Sequence, residues 1–298
     1  MKHSPVQLVR RYGFLAVAIA AFAAGLVFDQ RGGGSPVRGD KRGTVSLVYV
    51  NWAEGIAMTN LVKVVLEDEM GYRVVMTMAD PAPLFTSLAS GDKDVFVDAW
   101  LPVTHGDYMD EYGDRVTDLG PNFKGARIGL VVPEYVPVSA IPQLPEHRDR
   151  FGGQITGIDS GAGIMKRTEK AIEQYDLEYE LLASSGPAMT TSLKSAVRQK
   201  APIVVTGWRP HWMFARWKLK FLEDPKGVYG QEENLHTITR KGLAQDMPRV
   251  VDFLKAFELD SQQLGGLMGA IREASGGPEQ AARNWMASHR DLVASWLP

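Results

Sequence analysis

A strand–helix–strand–helix–strand pattern runs through this chain twice, and the duplication restricts it to few folds. In the first copy Thr44–Val50 reads as a strand. Ile56–Met70 follows with Ile56, Met58, Leu61, Val62, Val65 and Leu66 at helical spacing, and Gly71 stops it. Arg73–Met78 reads as a strand, Pro83–Ala89 as a short helix and Asp94–Ala99 as a third strand. In the second copy Gln154–Ile158, Glu180–Ala183 and Pro202–Thr206 are the strands, with helices at Ile164–Tyr175 and Met189–Val197. Alternation at these lengths indicates α/β units with mostly parallel sheets.

Local sequence supports the duplication. Gly55-Ile56 and Gly163-Ile164 stand 108 residues apart, as do Ala99-Trp100-Leu101-Pro102 and Gly207-Trp208-Arg209-Pro210. Between them Thr86-Ser87-Leu88 matches Thr191-Ser192-Leu193 at an offset of 105. Arg127–Pro133, apolar and β-rich, and His236–Arg240 read as two extended connections between the copies. The expected architecture is a hinged two-lobed clamshell. Ligands in open α/β sheets bind beyond the carboxyl ends of the strands, where both Gly-Ile loops and both Trp-Pro turns fall.

The first 43 residues differ from the rest. They hold seven basic side chains and two acidic ones, which leaves 26 basic against 33 acidic residues in the body. Lys2, Arg10 and Arg11 precede 16 uncharged residues, Gly13–Phe28, and Ala21-Phe22-Ala23 has the form of a cleavage site. Residues 1–28 are therefore a secretory signal or an uncleaved N-terminal membrane anchor, the run being close to the short end of a spanning helix. Residues 29–43 read as a flexible linker. Either reading puts the body outside the cytoplasm, in the periplasm or its equivalent. A net-acidic body gives no electrostatic case for nucleic acid. The absence of cysteine excludes disulfides, thiolate metal sites and a lipid-modified N-terminal Cys.

Three of the seven tryptophans, Trp52, Trp100 and Trp208, follow strands at cleft positions. Trp285 and Trp296 fit a helical core, and Trp212 and Trp217 fit packing. Three tryptophans around one cleft suggest a cage for a quaternary ammonium group, which has no N–H to donate and is held by ring faces at roughly 0.5–2 kcal/mol each. Asp159-Ser160-Gly161-Ala162-Gly163-Ile164 runs from a strand into a helix start, where free N–H groups attract an anion. The spacing is that of neither a P-loop nor a dinucleotide fingerprint. His105, five residues after Trp100, offers a second donor to that anion. Six scattered histidines without cysteine indicate no metal site. Asp98 has two open readings, a catalytic group or a partner for arginine.

Four stretches carry a family resemblance: Gly161-Ala162-Gly163-Ile164-Met165, Thr206-Gly207-Trp208-Arg209-Pro210-His211-Trp212-Met213-Phe214, Leu222-Glu223-Asp224-Pro225-Lys226 and Ala99-Trp100-Leu101-Pro102-Val103-Thr104-His105. From about Val45 onward the chain resembles the glycine betaine-binding proteins of ABC transporters. The resemblance implies a type II periplasmic-binding-protein clamshell that closes on a small zwitterion in the interlobe cleft. It implies a cation cage of Trp52, Trp100 and Trp208, with the carboxylate held by the amides of Gly163 and Ile164 and by His105. It further implies a monomer without cofactor, handing its ligand to a membrane permease energised by an ATPase. The lobes expected are 44–131, with 240–298 returning to it, and 132–239. Alternatives are carnitine, choline, proline betaine or dimethylsulfoniopropionate as ligand, an enzyme acting on betaines with His105 or Asp98 as base, and a sensory ligand-binding module.

Overall fold

The structure, a computed structural model, describes residues 43–298. The expected leader and nearly all of the linker lie outside the described residues. Among those described, no helix is long and apolar enough to cross a membrane.

Among the described residues nine strands follow one another. They are β1 (Thr44–Tyr49), β2 (Arg73–Met78), β3 (Val95–Leu101), β4 (Val116–Pro133), β5 (Gln154–Thr156), β6 (Glu180–Leu182), β7 (Val205–Arg209), β8 (Leu219–Phe221) and β9 (Glu233–Arg240). Their order is β2-β1-β3-β9-β4-β7-β5-β6, with β8 pairing β4. The duplication seen in the sequence is also a topological one. In the first copy β1 pairs in parallel with both β2 and β3; in the second, β5 pairs in parallel with both β6 and β7. Each parallel trio is bounded on its inner side by an antiparallel strand, β9 against β3 and β4 against β7. This is a two-lobed mixed α/β fold.

Strand β4 joins the two sheets. Val116 to Ala126 pairs with β9, and Arg127 to Val131 pairs with β7. Gly125, with φ of +80°, sits at the changeover, a backbone conformation that glycine adopts without steric penalty. The expected connection Arg127–Pro133 is the second half of this 18-residue strand. Its first half hides in the sequence because Asp118, Gly120 and Pro121 read as turn residues, and the pairing absorbs them as bulges. The other expected connection, His236–Arg240, is not a crossing. It belongs to β9, which pairs only with β3 and β4 inside the first sheet.

Other boundaries also differ from expectation. The first helix starts at Ala53, and its last turn, Val65–Glu69, is a π-helix. Strands β3 and β7 continue through Trp100 and Trp208, since β9 and β4 give both segments ladder partners. Helices of the C-terminal region, Ser261–Glu273 and Gly277–Ser288, close the first lobe's outer face, and Trp285 and Trp296 are buried in its core. Trp212 and Trp217 pack edge to face, with ring centroids 5.5 Å apart.

Candidate functional site

The three cleft tryptophans line one small cavity together with Glu54, Thr104, Ile128, Ile158, Ala162, Gly163 and Ile164. Its non-atom space is about 270 Å³, part of it open to solvent. Trp52, Trp100 and Trp208 are each at most 4% exposed. Different elements deliver them. Trp52 is the residue before the helix Ala53–Val64, Trp100 lies near the end of β3, and Trp208 near the end of β7.

Each indole N–H has a carboxylate acceptor. Trp208 donates to Glu54 at 2.7 Å, Trp100 to Asp98 at 3.0 Å and Trp52 to Asp159 at 3.3 Å. With their donors engaged, the rings offer the cavity carbon faces. Such a wall attracts a diffuse cation and gives nothing to a ligand that seeks indole donors.

The opposite chemistry stands at the helix Gly163–Gln174. Ala162 is its N-cap, and Gly163 and Ile164 are its first two residues. Their N–H groups find no acceptor among the described residues, as expected for a helix start. The equivalent turn of the first copy differs, because Gly55 lies inside a helix and Ile56 donates to Trp52 O at 2.9 Å. Gly163 is also required sterically, since a Cβ there would stand 1.9 Å from Thr104 O. Thr104 itself is fixed, because Glu233 accepts from the N–H of Val103 and from both the N–H and hydroxyl of Thr104, at 2.5–2.8 Å.

His105 does not line the cavity. It is fully buried and stacks against Trp52, with centroids 5.7 Å apart and planes 15° apart. Its Nδ1 accepts from the Trp100 N–H at 2.9 Å, which assigns the proton of the neutral ring to Nε2. Burial, with help from the Lys166 charge, lowers its pKa to about 3. Nε2–H is a buried donor without a partner.

Two acids complete the site. Asp98, whose readings were open, meets no arginine; it accepts from Trp100 and is completely buried. Glu54 carried no signal in the sequence beyond standing two residues after Trp52. Burial pushes its pKa up to about 8, against the lowering effect of the Trp208 hydrogen bond. Burial first, and then the charge of Glu54, raise Asp98 well above the carboxylate range. Thr104, Ile128, Ile158 and Ala162 were likewise not singled out by sequence. No group of metal-ligating side chains occurs among the described residues.

Two α/β lobes around a buried aromatic cavity, with an anion cradle at its edge, define a solute-binding protein. The family model described as the substrate binding domain of ABC-type glycine betaine transport system, OpuAC, matches residues 43–288, and the chain belongs to that family. This is a family of transporter binding components, not of enzymes. The chain is 48% identical over 145 residues to the glycine betaine/carnitine transport binding protein GbuC of Listeria monocytogenes, an alignment spanning 48% of each chain, or about half the length of that relative. It is similar to lactococcal OpuAC in its closed conformation complexed with glycine betaine, at 40% identity, a TM-score of 0.81, and coverage of 87% of this chain and 100% of that one. It is also similar to the glycine betaine/L-proline-binding protein ProX of Borrelia burgdorferi, at 35% identity, a TM-score of 0.83, and coverage of 86% and 97%.

Proposed function

We propose that this chain binds glycine betaine or a closely related quaternary-ammonium zwitterion outside the cytoplasm and delivers it to a membrane permease driven by an ATPase. The observation that carries the reading is the cavity itself, lined by three tryptophans and by Gly163 and Ile164, whose amides have no acceptor among the described residues. A trimethylammonium fits between Trp52, Trp100 and Trp208, and a carboxylate fits the helix start, with the Nε2–H of His105 as its third donor. The lobes that close on it meet within β4 at Ala126–Arg127, and β9, from Glu233 onward, goes with the first lobe rather than the second. The protein acts as a monomer, released by cleavage of its leader or held to the membrane by it.

Calorimetry of the purified protein against glycine, dimethylglycine, glycine betaine, proline betaine, carnitine and choline tests this. Glycine betaine is expected among the tightest ligands and is recovered unchanged. Absence of heat with every quaternary ammonium compound overturns the reading.

A further inference from the structure

The cage contains more negative charge than its own protein neutralises. Glu54 lines the cavity and is fully buried; Oε2 accepts from Trp208, and Oε1 has no partner. Asp98, also fully buried, accepts from Trp100 through Oδ1 and leaves Oδ2 without a partner. That oxygen faces the backbone of Gly55, the residue next to Glu54: a Cβ on Gly55 would lie 2.6 Å from it. Among the described residues no lysine or arginine forms an ion pair with either carboxyl.

The other titratable groups of the cage supply no compensating charge. Asp159, in the loop after β5, is the acceptor for Trp52. His105, at the head of the helix Gly106–Tyr112, is neutral, and so is His211 after β7, whose pKa burial lowers to about 3. Glu233, on β9, is taken up by Val103 and Thr104.

Two carboxyl groups in one dry site cannot both ionise without a counter-charge, and a lone buried charge is strongly unfavourable. The empty cage therefore retains protons on the pair. A quaternary ammonium ion brings a permanent positive charge and no proton of its own. We infer that Glu54 is the counter-ion of the bound cation, and that binding expels one proton from the Glu54–Asp98 pair. The carboxylic O–H of Glu54 gives its proton to solvent while the cation takes its place electrostatically; no covalent bond is made. This rests on the functional reading above. It adds that the ligand's permanent charge is selected by a carboxylate as well as by ring faces, and that affinity depends on pH.

The test is titration calorimetry with glycine betaine and with choline from pH 6 to pH 9, in pairs of buffers that differ in ionisation enthalpy. One proton released per ligand makes the affinity of the wild-type protein rise by about tenfold per pH unit between pH 6 and 8, and the buffer pairs report that proton directly. Glu54→Gln keeps an oxygen for the Trp208 N–H. It is expected to bind with pH-independent affinity, to release no proton, and to be at least about tenfold weaker than wild type at pH 8. Asp98→Asn leaves Glu54 as the one titrating carboxyl of the pair, so release of one proton per ligand should persist. Wild-type affinity that is constant from pH 6 to 8, or a Glu54→Gln variant with the wild-type slope, overturns the inference and leaves the functional reading intact. Failure of the wild type to bind either compound at any pH overturns both. Should Glu54→Gln not fold, the wild-type proton count and its persistence in Asp98→Asn decide the matter.

Discussion

Trp208 donates its indole N–H to Glu54 at 2.7 Å across 154 residues of sequence. One partner lies on β7 in the second sheet, the other on the first helix of the first copy. The Trp52–Asp159 bond runs the other way, from the start of that helix to the loop after β5. Two crossed indole–carboxylate bonds thus bridge the copies at the cavity. They fix ring orientation and close the site at the same time.

This bonding changes what conservative substitutions should do. Replacing Trp52, Trp100 or Trp208 by alanine is expected to weaken glycine betaine binding by roughly 1–3 kcal/mol, through lost cation–π attraction and contact area. Phenylalanine should be tolerated best at position 52, where the bond is long and only partly buried. At positions 100 and 208 it leaves a buried carboxyl oxygen unpaired, which costs about 1–3 kcal/mol. Paired calorimetry and thermal melts check this. Normal binding by all three folded alanine variants would remove the cage.

Gly163→Ala tests the close approach at Thr104. The added methyl meets a backbone carbonyl that cannot rotate away, because Glu233 holds Thr104 at its N–H and hydroxyl and the preceding Val103 at its N–H. Overpacking of this kind costs about 1–3 kcal/mol. The loss should appear in ligand affinity, roughly tenfold or more, because the contact joins the second copy's helix start to the first copy's Thr104. Affinity unchanged in Gly163→Ala would mean the copies do not need this contact to hold ligand.

Buried ionisable groups predict the shape of stability against pH. His105 and His211 have folded pKa values near 3, below their unfolded value of 6.5. Between these limits the unfolded chain binds more protons, so their contribution is lost as pH falls from 6.5 toward 3. Glu54 and Asp98 are raised in the fold, Glu54 from 4.5 to about 8. There the folded chain binds more protons, and stability falls as pH rises from 4.5 through about 8. The two effects oppose each other between pH 4.5 and 6.5. The ligand-free protein should show a plateau there and lose stability on both sides, measured by denaturant melts at fixed pH. A flat profile from pH 6.5 to 8.5 would contradict the alkaline arm, and Glu54→Gln should flatten that arm selectively.

Much of this was readable in the sequence because it depends on local chemistry. A glycine-rich turn before a helix marks a free helix start, and tryptophans at equivalent places in a repeated pattern point to one cleft. The ends of β3 and β7 were not readable, because whether Trp100 and Trp208 continue a ladder depends on β9 and β4, far along the chain. Glu54 was missed for a similar reason. An acid in the first turn of a helix is ordinarily a solvated dipole partner, and only tertiary structure turns it onto Trp208. Asp98 could be noticed beside Trp100 but not given a partner.

The ligand itself separates the two halves of the site. Glycine, dimethylglycine and glycine betaine share a carboxylate, for which the proposed reading uses the N–H groups of Gly163, Ile164 and His105, and differ in N-methylation. An ammonium N–H entering the cage loses its water and finds indole faces whose own N–H groups are already engaged. Leaving such a donor unsatisfied costs on the order of 1–3 kcal/mol. Each methyl adds roughly 0.8 kcal/mol of burial. The free oxygen of Glu54 gives one N–H a possible acceptor, which softens the penalty for one proton and leaves the others. Glycine should therefore bind at least ~10³-fold more weakly than glycine betaine, three or more steps of about 1.4 kcal/mol, with dimethylglycine between them. An amino-acid receptor would rank them in reverse, by setting its carboxylates against each ammonium hydrogen. Affinities measured for the three compounds at one pH decide the order, and glycine in first place would remove both the cage and the quaternary-ammonium reading.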